Sequence, residues 1–276
     1  MEYINDLENK FEYKLYSNVE KIMHPTISKR NISSYKIVLD EKIVPVKVFY
    51  PERVSQLNDI IIYVHGISFI SGCGNHYSNI CEDLAIKTNR LVIAIDFDET
   101  KKYLDVLDDC ISCVKYLIDK FNNLKIDNSH ITLVGDSVGA TIVLGINKIA
   151  DLKLKCIIIS PVLSGNYFDD VNIDKNDKVN SNLVSNLKKY YNSSLKYKKN
   201  YKDSLVFPLL DKTVEKMNNL FVITSENDYL KDEAIKYSEM VESSFLELPI
   251  VSHGFLKNMD LDIQNIFYTK ILEFLK

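Results

Sequence analysis

Ile131-Thr-Leu-Val-Gly-Asp-Ser-Val-Gly-Ala140 is an apolar, strand-like run that breaks into Gly135-x-Ser137-x-Gly139 and continues as a helical pattern. A serine hydroxyl attacks a carbonyl only when it is held clear of the backbone beside a base. A sharp strand-to-helix turn does this, with glycines relieving the crowding. The stretch therefore predicts a nucleophile elbow with Ser137 at its apex and Gly135, Asp136 and Gly139 shaping the turn. The pattern also arises in ordinary tight turns. It gains meaning if an acid and a histidine follow in the chain order Ser, Asp, His.

Both follow. Leu220-Phe-Val-Ile-Thr-Ser-Glu-Asn-Asp228 is an apolar run ending in acidic residues, which puts Asp228 in a loop at the C-terminal edge of a strand. Reactive groups of open α/β sheets collect there. Phe245-Leu-Glu-Leu-Pro-Ile-Val-Ser-His253-Gly-Phe255 is a second extended run that delivers His253 into a turn before the final helix. His253 is the candidate base, with Asp228 fixing its tautomer. Glu226, Asp232 and Glu233 compete with Asp228 for the acid role.

Acyl transfer also needs backbone donors aimed at the developing oxyanion, commonly the amide after the nucleophile and one from an upstream strand-helix loop. Val138 would supply the first. The second would come from the loop after the buried-strand pattern Asp59-Ile-Ile-Ile-Tyr-Val-His65, where Gly66, Ile67 and Ser68 follow.

Four segments taken together, Val64-His65-Gly66-Ile67-Ser68-Phe69, Gly135-Asp136-Ser137-Val138-Gly139-Ala140, Asn227 to Glu233, and Ser252-His253-Gly254-Phe255, resemble the hormone-sensitive-lipase-like branch of the α/β-hydrolases. The similarity runs from about Val44 to the C-terminus and includes Pro45 to Pro51 and Ser204 to Pro208. The resemblance implies a Ser137, His253 and Asp228 triad, because Asp228 matches the first acid of that branch's D-x-L-x-D pattern. Three departures stand out. Ile67 and Ser68 replace the later glycines of His-Gly-Gly-Gly, and a β-branched residue resists positive φ. Asp96-Phe97-Asp98-Glu99-Thr100 stands where the branch has Asp-Tyr-Arg-Leu-Ala-Pro-Glu, and Val138 and Ala140 replace its Ala and Gly.

Composition sets the frame. A chain of 276 residues with 46% hydrophobic content can bury one large core, so a single domain spanning 1–276 is expected. A net charge of -4 with both signs interspersed argues against nucleic acid as a partner. No apolar run approaches the roughly 20 residues of a spanning helix and the N-terminus lacks a leader pattern, so a cytoplasmic protein without stable membrane insertion is expected. The odd count of 5 cysteines fits reduced thiols. Cys110 and Cys113 fall on one side of a helix predicted over Tyr103 to Phe121 and read as small buried apolar groups rather than a metal or redox pair.

Ile4, Leu7, Phe11, Leu15, Val19 and Ile22 recur at helical spacing, predicting an amphipathic helix over 2–23. From Ser34 the chain turns β-rich, with Tyr35 to Leu39 and Ile43 to Tyr50. Strands are then predicted at Ile60 to Val64, Leu91 to Ile95, Ile131 to Val134, Cys156 to Ile159, Phe221 to Thr224 and Phe245 to Leu248. Alternation with helices implies a mostly parallel sheet covered on both faces, the α/β-hydrolase architecture that the resemblance also implies. The polar interval 164–215, with a helical stretch near Val179 to Tyr191, is too long for a plain connection. With residues 1–30 it is expected to form a small cap; a solvated insertion, which its Lys196 to Lys202 run would suit, is the alternative.

The function expected from these features is hydrolysis of small-molecule carboxylic esters with short or medium acyl groups, through an acyl-enzyme and without metal or cofactor. Amide or peptide hydrolysis by the same triad, and small-ligand binding without catalysis, are the alternatives.

Overall fold

The computed structural model describes residues 32–39, 42–52, 59–67, 77–165, 177–195, 203–213 and 215–276. The expected helix over 2–23, Ser68 and the Lys196 to Lys202 run lie outside them. Eight strands form one sheet: β1 (Ile32–Leu39), β2 (Lys42–Phe49), β3 (Ile60–Val64), β4 (Leu91–Ile95), β5 (Ile131–Asp136), β6 (Lys155–Ile159), β7 (Leu220–Ser225) and β8 (Ser244–Leu248). Their order is β1-β2-β4-β3-β5-β6-β7-β8. The β1-β2 hairpin joins β4 antiparallel, and every pair from β4 to β8 is parallel.

Parallel neighbours must be joined by crossovers, and the helices α1 (Tyr77–Thr88), α2 (Tyr103–Asn123), α3 (Val138–Ala150), α4 (Lys178–Ser194), α5 (Lys231–Val241) and α6 (Leu261–Leu275) provide them or pack beside them. The central strands are continuous apolar runs because both faces are covered. β3 makes the division plain: Ile60, Ile62 and Val64 join the core under α2, α3, α4 and α5, while Ile61 and Tyr63 join the core under α1 and α6. Each such burial contributes about 1.5–3 kcal/mol. Cys110 and Cys113 are both buried on α2, and burial pushes their thiols up, Cys113 to about 12.

The interval between β6 and β7 contains α4, whose Leu183, Val184, Leu187, Tyr190 and Tyr191 are buried in the same core as α2 and α3. Tyr103 of α2 donates to Leu205 O at 2.9 Å, and Tyr191 packs its ring 5.1 Å from Phe207. The described part of the insertion is thus a packed layer. Among the described residues no helix is long and apolar enough to cross a membrane.

Candidate active site

β5 ends at Asp136 and α3 begins at Val138, so a single residue makes the turn between them. Ser137 makes it with φ 51° and ψ -121°, a conformation that a non-glycine residue holds only when its surroundings enforce it. Its amide donates to Ile159 O at 2.8 Å, tying the apex to the end of β6. The flanking glycines are required by close approach. A Cβ on Gly139 would lie 2.2 Å from Val64 O, and one on Gly135 would lie 2.6 Å from Gly139 O.

Asp228 and His253 are carried to this apex by the loops after β7 and β8. Ser137 Oγ donates to His253 Nε2 at 3.1 Å, and His253 Nδ1 donates to Asp228 Oδ2 at 2.9 Å. A neutral imidazole has one donor and one acceptor nitrogen, so the carboxylate on Nδ1 leaves Nε2 free to accept a proton. Burial pushes the Asp228 carboxyl up. The adjacent His253 and the Leu230 amide outweigh that and hold it below the usual carboxylate range. Burial pulls the His253 ring down, but Asp228 and, less strongly, Asp136 leave it raised.

The three other carboxylates near Asp228 do not reach His253. Glu226 accepts from Ile250 N at 2.7 Å, and Asp232 is exposed in the first turn of α5. Glu233 accepts from Leu163 N at 2.7 Å and from Ser164 Oγ, and burial pushes its carboxyl up to about 8.

On the opposite side of Ser137, Val138 opens α3, and first-turn amides have no partner within their own helix. The amide of Gly66, expected among the oxyanion donors, is instead donated to Asp136 Oδ1 at 2.9 Å, because that carboxylate turns back over the loop. Tyr63 donates to the same oxygen at 2.6 Å. Ile67 follows, buried, and is not one of the described residues with positive φ, so its β-branched side chain brings no left-handed strain. His65 is buried with its ring stacked between Tyr77, 4.4 Å away, and Phe97, 4.1 Å away, both within 5° of parallel. Tyr77 in turn donates to Asp96 at 2.5 Å, beside Lys47. This explains what Asp96-Phe97 does in a chain that lacks the arginine and proline of the related loop.

A cavity of about 160 Å³ lies against Ser137 and His253, with Ile67, Ile80, Ile159, Phe255 and Leu256 as its apolar wall. A larger hollow of about 670 Å³, lined by Lys148, Asp211 and Tyr237 among others, includes none of Ser137, Asp228 or His253. Among the described residues no group of three or more His, Cys, Asp or Glu side chains is placed to hold a metal ion.

Several contacts around this site left no pattern in the sequence: the ring stack on His65, the Glu233 anchor, and Asn180 of α4, whose carboxamide meets the Asp228 loop. They pair residues far apart in the chain.

Comparison with known proteins places the chain in a wider group. A family model described as an alpha/beta hydrolase fold matches residues 61–257. An arylesterase of Saccharolobus solfataricus is 24% identical over 230 residues, covering 79% of this chain and 74% of its own. An ethyl acetate hydrolase of Pseudomonas putida is 21% identical over 233 residues, covering 79% and 73%. Among solved structures, an esterase of Pyrobaculum calidifontis superposes with a TM-score of 0.75 at 18% identity, covering 99% of this chain and 92% of its own. A thermostable carboxylesterase cloned from a metagenomic library reaches 0.74 at 18% identity, covering 99% and 97%.

Proposed function

The chain belongs to the alpha/beta hydrolase fold family, and from that premise we propose that it is a serine hydrolase of carboxylic esters, with Ser137, His253 and Asp228 as its triad. The observation that carries this reading is the continuous relay from Ser137 Oγ through both ring nitrogens of His253 to Asp228 Oδ2. The esterase names of its relatives support the choice of ester over other acyl substrates.

In this mechanism His253 Nε2 takes the Ser137 proton as Oγ attacks the ester carbonyl. The resulting tetrahedral oxyanion is held by the amides of Val138 and Ile67, with Ser68 next in the chain, while Gly66 serves to tie the loop to Asp136. His253 then protonates the leaving alcohol. Water repeats the sequence on the acyl-enzyme and releases the acid. Asp228 stays ionised throughout and stabilises the imidazolium.

A cavity of about 160 Å³ is well below the roughly 300–1,000 Å³ that encloses drug-sized ligands. Its apolar wall fits a short acyl or alkoxy group, and the reading accordingly puts short acyl esters ahead of longer ones. The two cap elements, 1–30 and 164–215, would cover the opening, and the whole chain would act as one domain in the cytoplasm.

The test is labelling by a fluorophosphonate together with turnover of p-nitrophenyl esters of increasing acyl length and a matched anilide. Wild-type protein should label and hydrolyse the short esters fastest. Ser137→Ala should lose labelling and about 10⁶ in turnover while keeping its melting temperature. Turnover retained in the alanine variant would sink the reading.

A further inference from the structure

This inference rests on the triad reading above and concerns what holds its acid. Asn180 lies in the first turn of α4, within the insertion between β6 and β7. Its Oδ1 accepts from Tyr229 N at 3.0 Å, and its Nδ2 donates to Asn227 O at 3.1 Å. Asn227 and Tyr229 are the two chain neighbours of Asp228. One side chain thus grips the peptide groups on both sides of the acid.

The grip is itself oriented. Nδ2 of Asn180 also donates to Asp177 Oδ2 at 2.7 Å, while Asp177 Oδ1 accepts from Asn180 N at 3.0 Å as the helix N-cap. A carboxamide has two donor hydrogens and an acceptor oxygen, and all three functions are used here. Aspartate at 180 would lose the donor to Asn227 and face Asp177 with like charge; alanine would lose both arms. A second tie lies nearby, where Glu233 of α5 holds Leu163 N and Ser164 Oγ just after β6. The insertion is therefore bonded to the segment Asn227 to Glu233 both where it leaves the sheet and at the start of its helix.

We propose that Asn180 is a positioning residue of the reaction, bracketing the peptide groups beside Asp228 so that the carboxylate is held at His253 Nδ1. The insertion then belongs to the frame of the active site as well as covering the core. A displacement of the first turn of α4 carries the acid with it.

The measurement compares Asn180→Ala and Asn180→Asp with Val179→Ala, an exposed neighbour on the same turn. Competent sites are counted by fluorophosphonate labelling, and kcat and KM for p-nitrophenyl acetate are taken per labelled site across pH. The groups that set the charge of His253 are Asp228 and Asp136, which favour the imidazolium, and Lys257, which disfavours it. Both Asn180 variants keep all three but loosen the first. Their kcat should fall by about 10- to 100-fold, since small misplacements cost that much, with KM within about twofold. In Asn180→Ala the acid limb of the pH profile should move to lower pH, because a loosened Asp228 raises His253 less; the carboxylate added in Asn180→Asp opposes that shift, so this variant is read by kcat alone. Val179→Ala should match the wild type.

A kcat per labelled site within about twofold of wild type, with an unmoved acid limb in Asn180→Ala, would overturn the inference even if the melting temperature fell, since Asn180 would then be a helix contact alone. A wild type that fails to label at all would overturn the triad reading and this inference with it, whereas a labelled wild type beside unaffected Asn180 variants overturns the inference only.

Discussion

Two sides of Ser137 are built from different mixtures of contacts, one chiefly of hydrogen bonds and one of ring stacking with a few hydrogen bonds. On the acid and base side, the loops after β7 and β8 are knitted by hydrogen bonds: Glu226 N to Leu248 O at 2.9 Å, Asn227 N to Val251 O at 3.0 Å, Asn227 Nδ2 to Ile250 O at 2.9 Å, and Ile250 N to Glu226 Oε2 at 2.7 Å. These hold Ile250 at φ 68°, a left-handed setting that a β-branched residue resists, although its side chain is 80% exposed and packs little. On the loop side, His65 lies flat between Tyr77 and Phe97 with a hydrogen bond from its Nδ1 to Gly66 O at 2.6 Å, and the backbone is pinned through Asp136. Hydrogen bonds constrain direction as well as distance, whereas a ring stack fixes a plane and tolerates sliding within it. The acid and base side is accordingly the one where loss of a single polar atom matters most.

The sharpest break of that contrast is Asp228→Asn, which preserves shape and removes the charge. Turnover should fall by about 10⁴. The remaining activity should show its acid limb at lower pH than the wild type, whose raised His253 places the limb above the ordinary histidine value of about 6.5. On the loop side, Asp136→Ala releases both Gly66 N and Tyr63 OH. It should cost about 10²-fold in kcat with little change in KM, as misplacement of an oxyanion donor does. An effect as large as that of Asp228→Asn would show that the loop side is equally intolerant.

Phe97→Leu tests the stack directly. It keeps apolar volume while removing one face of the sandwich, so a loss of about 3- to 10-fold in kcat is expected, in line with the worth of an aromatic pair. The smallest effect on rate should come from Glu233→Gln, whose readout is stability. The folded-state value of about 8 lies above the ordinary glutamate value of about 4.3, so its stabilising contribution is complete below that ordinary value and is lost as pH rises through about 8. The melting temperature of the wild type should therefore fall across this window relative to the glutamine variant, and parallel curves would remove Glu233 from the list of groups titrating there.

Much of the architecture was legible because it is periodic and local. Each predicted strand from Ile60 onward lies on an observed one, with ends shifted by a residue or two: β5 runs on to Asp136, β6 starts at Lys155 and β7 at Leu220. Apolar runs of five residues bounded by polar loops leave few other solutions in a sheet covered on both faces. The α4 helix was visible from its pattern as well, and its interval read as part of a cap, but the face it buries in the core was not visible. The lysine-rich and asparagine-rich composition around it pointed to solvent, whereas Leu187, Tyr190 and Tyr191 turn one face of it into the core.

Ser137, Asp228 and His253 could be named from the chain because each sits at the end of a strand in a recurring motif, and strand ends of a parallel sheet converge. By itself, the order of residues determined the strands, the turn with its two indispensable glycines, and the candidates that the turn requires. Tertiary structure alone decided that Glu226 and Glu233 are spent on Ile250 N and Leu163 N and that Gly66 N is taken by Asp136. It also decided that Asn180, some fifty residues away in sequence, grips the acid loop from both sides. The physical reason is the range of the interactions: backbone propensity and burial are read a few residues at a time, while a hydrogen bond between side chains and distant backbone exists only after the sheet has brought the loops to within about 3 Å.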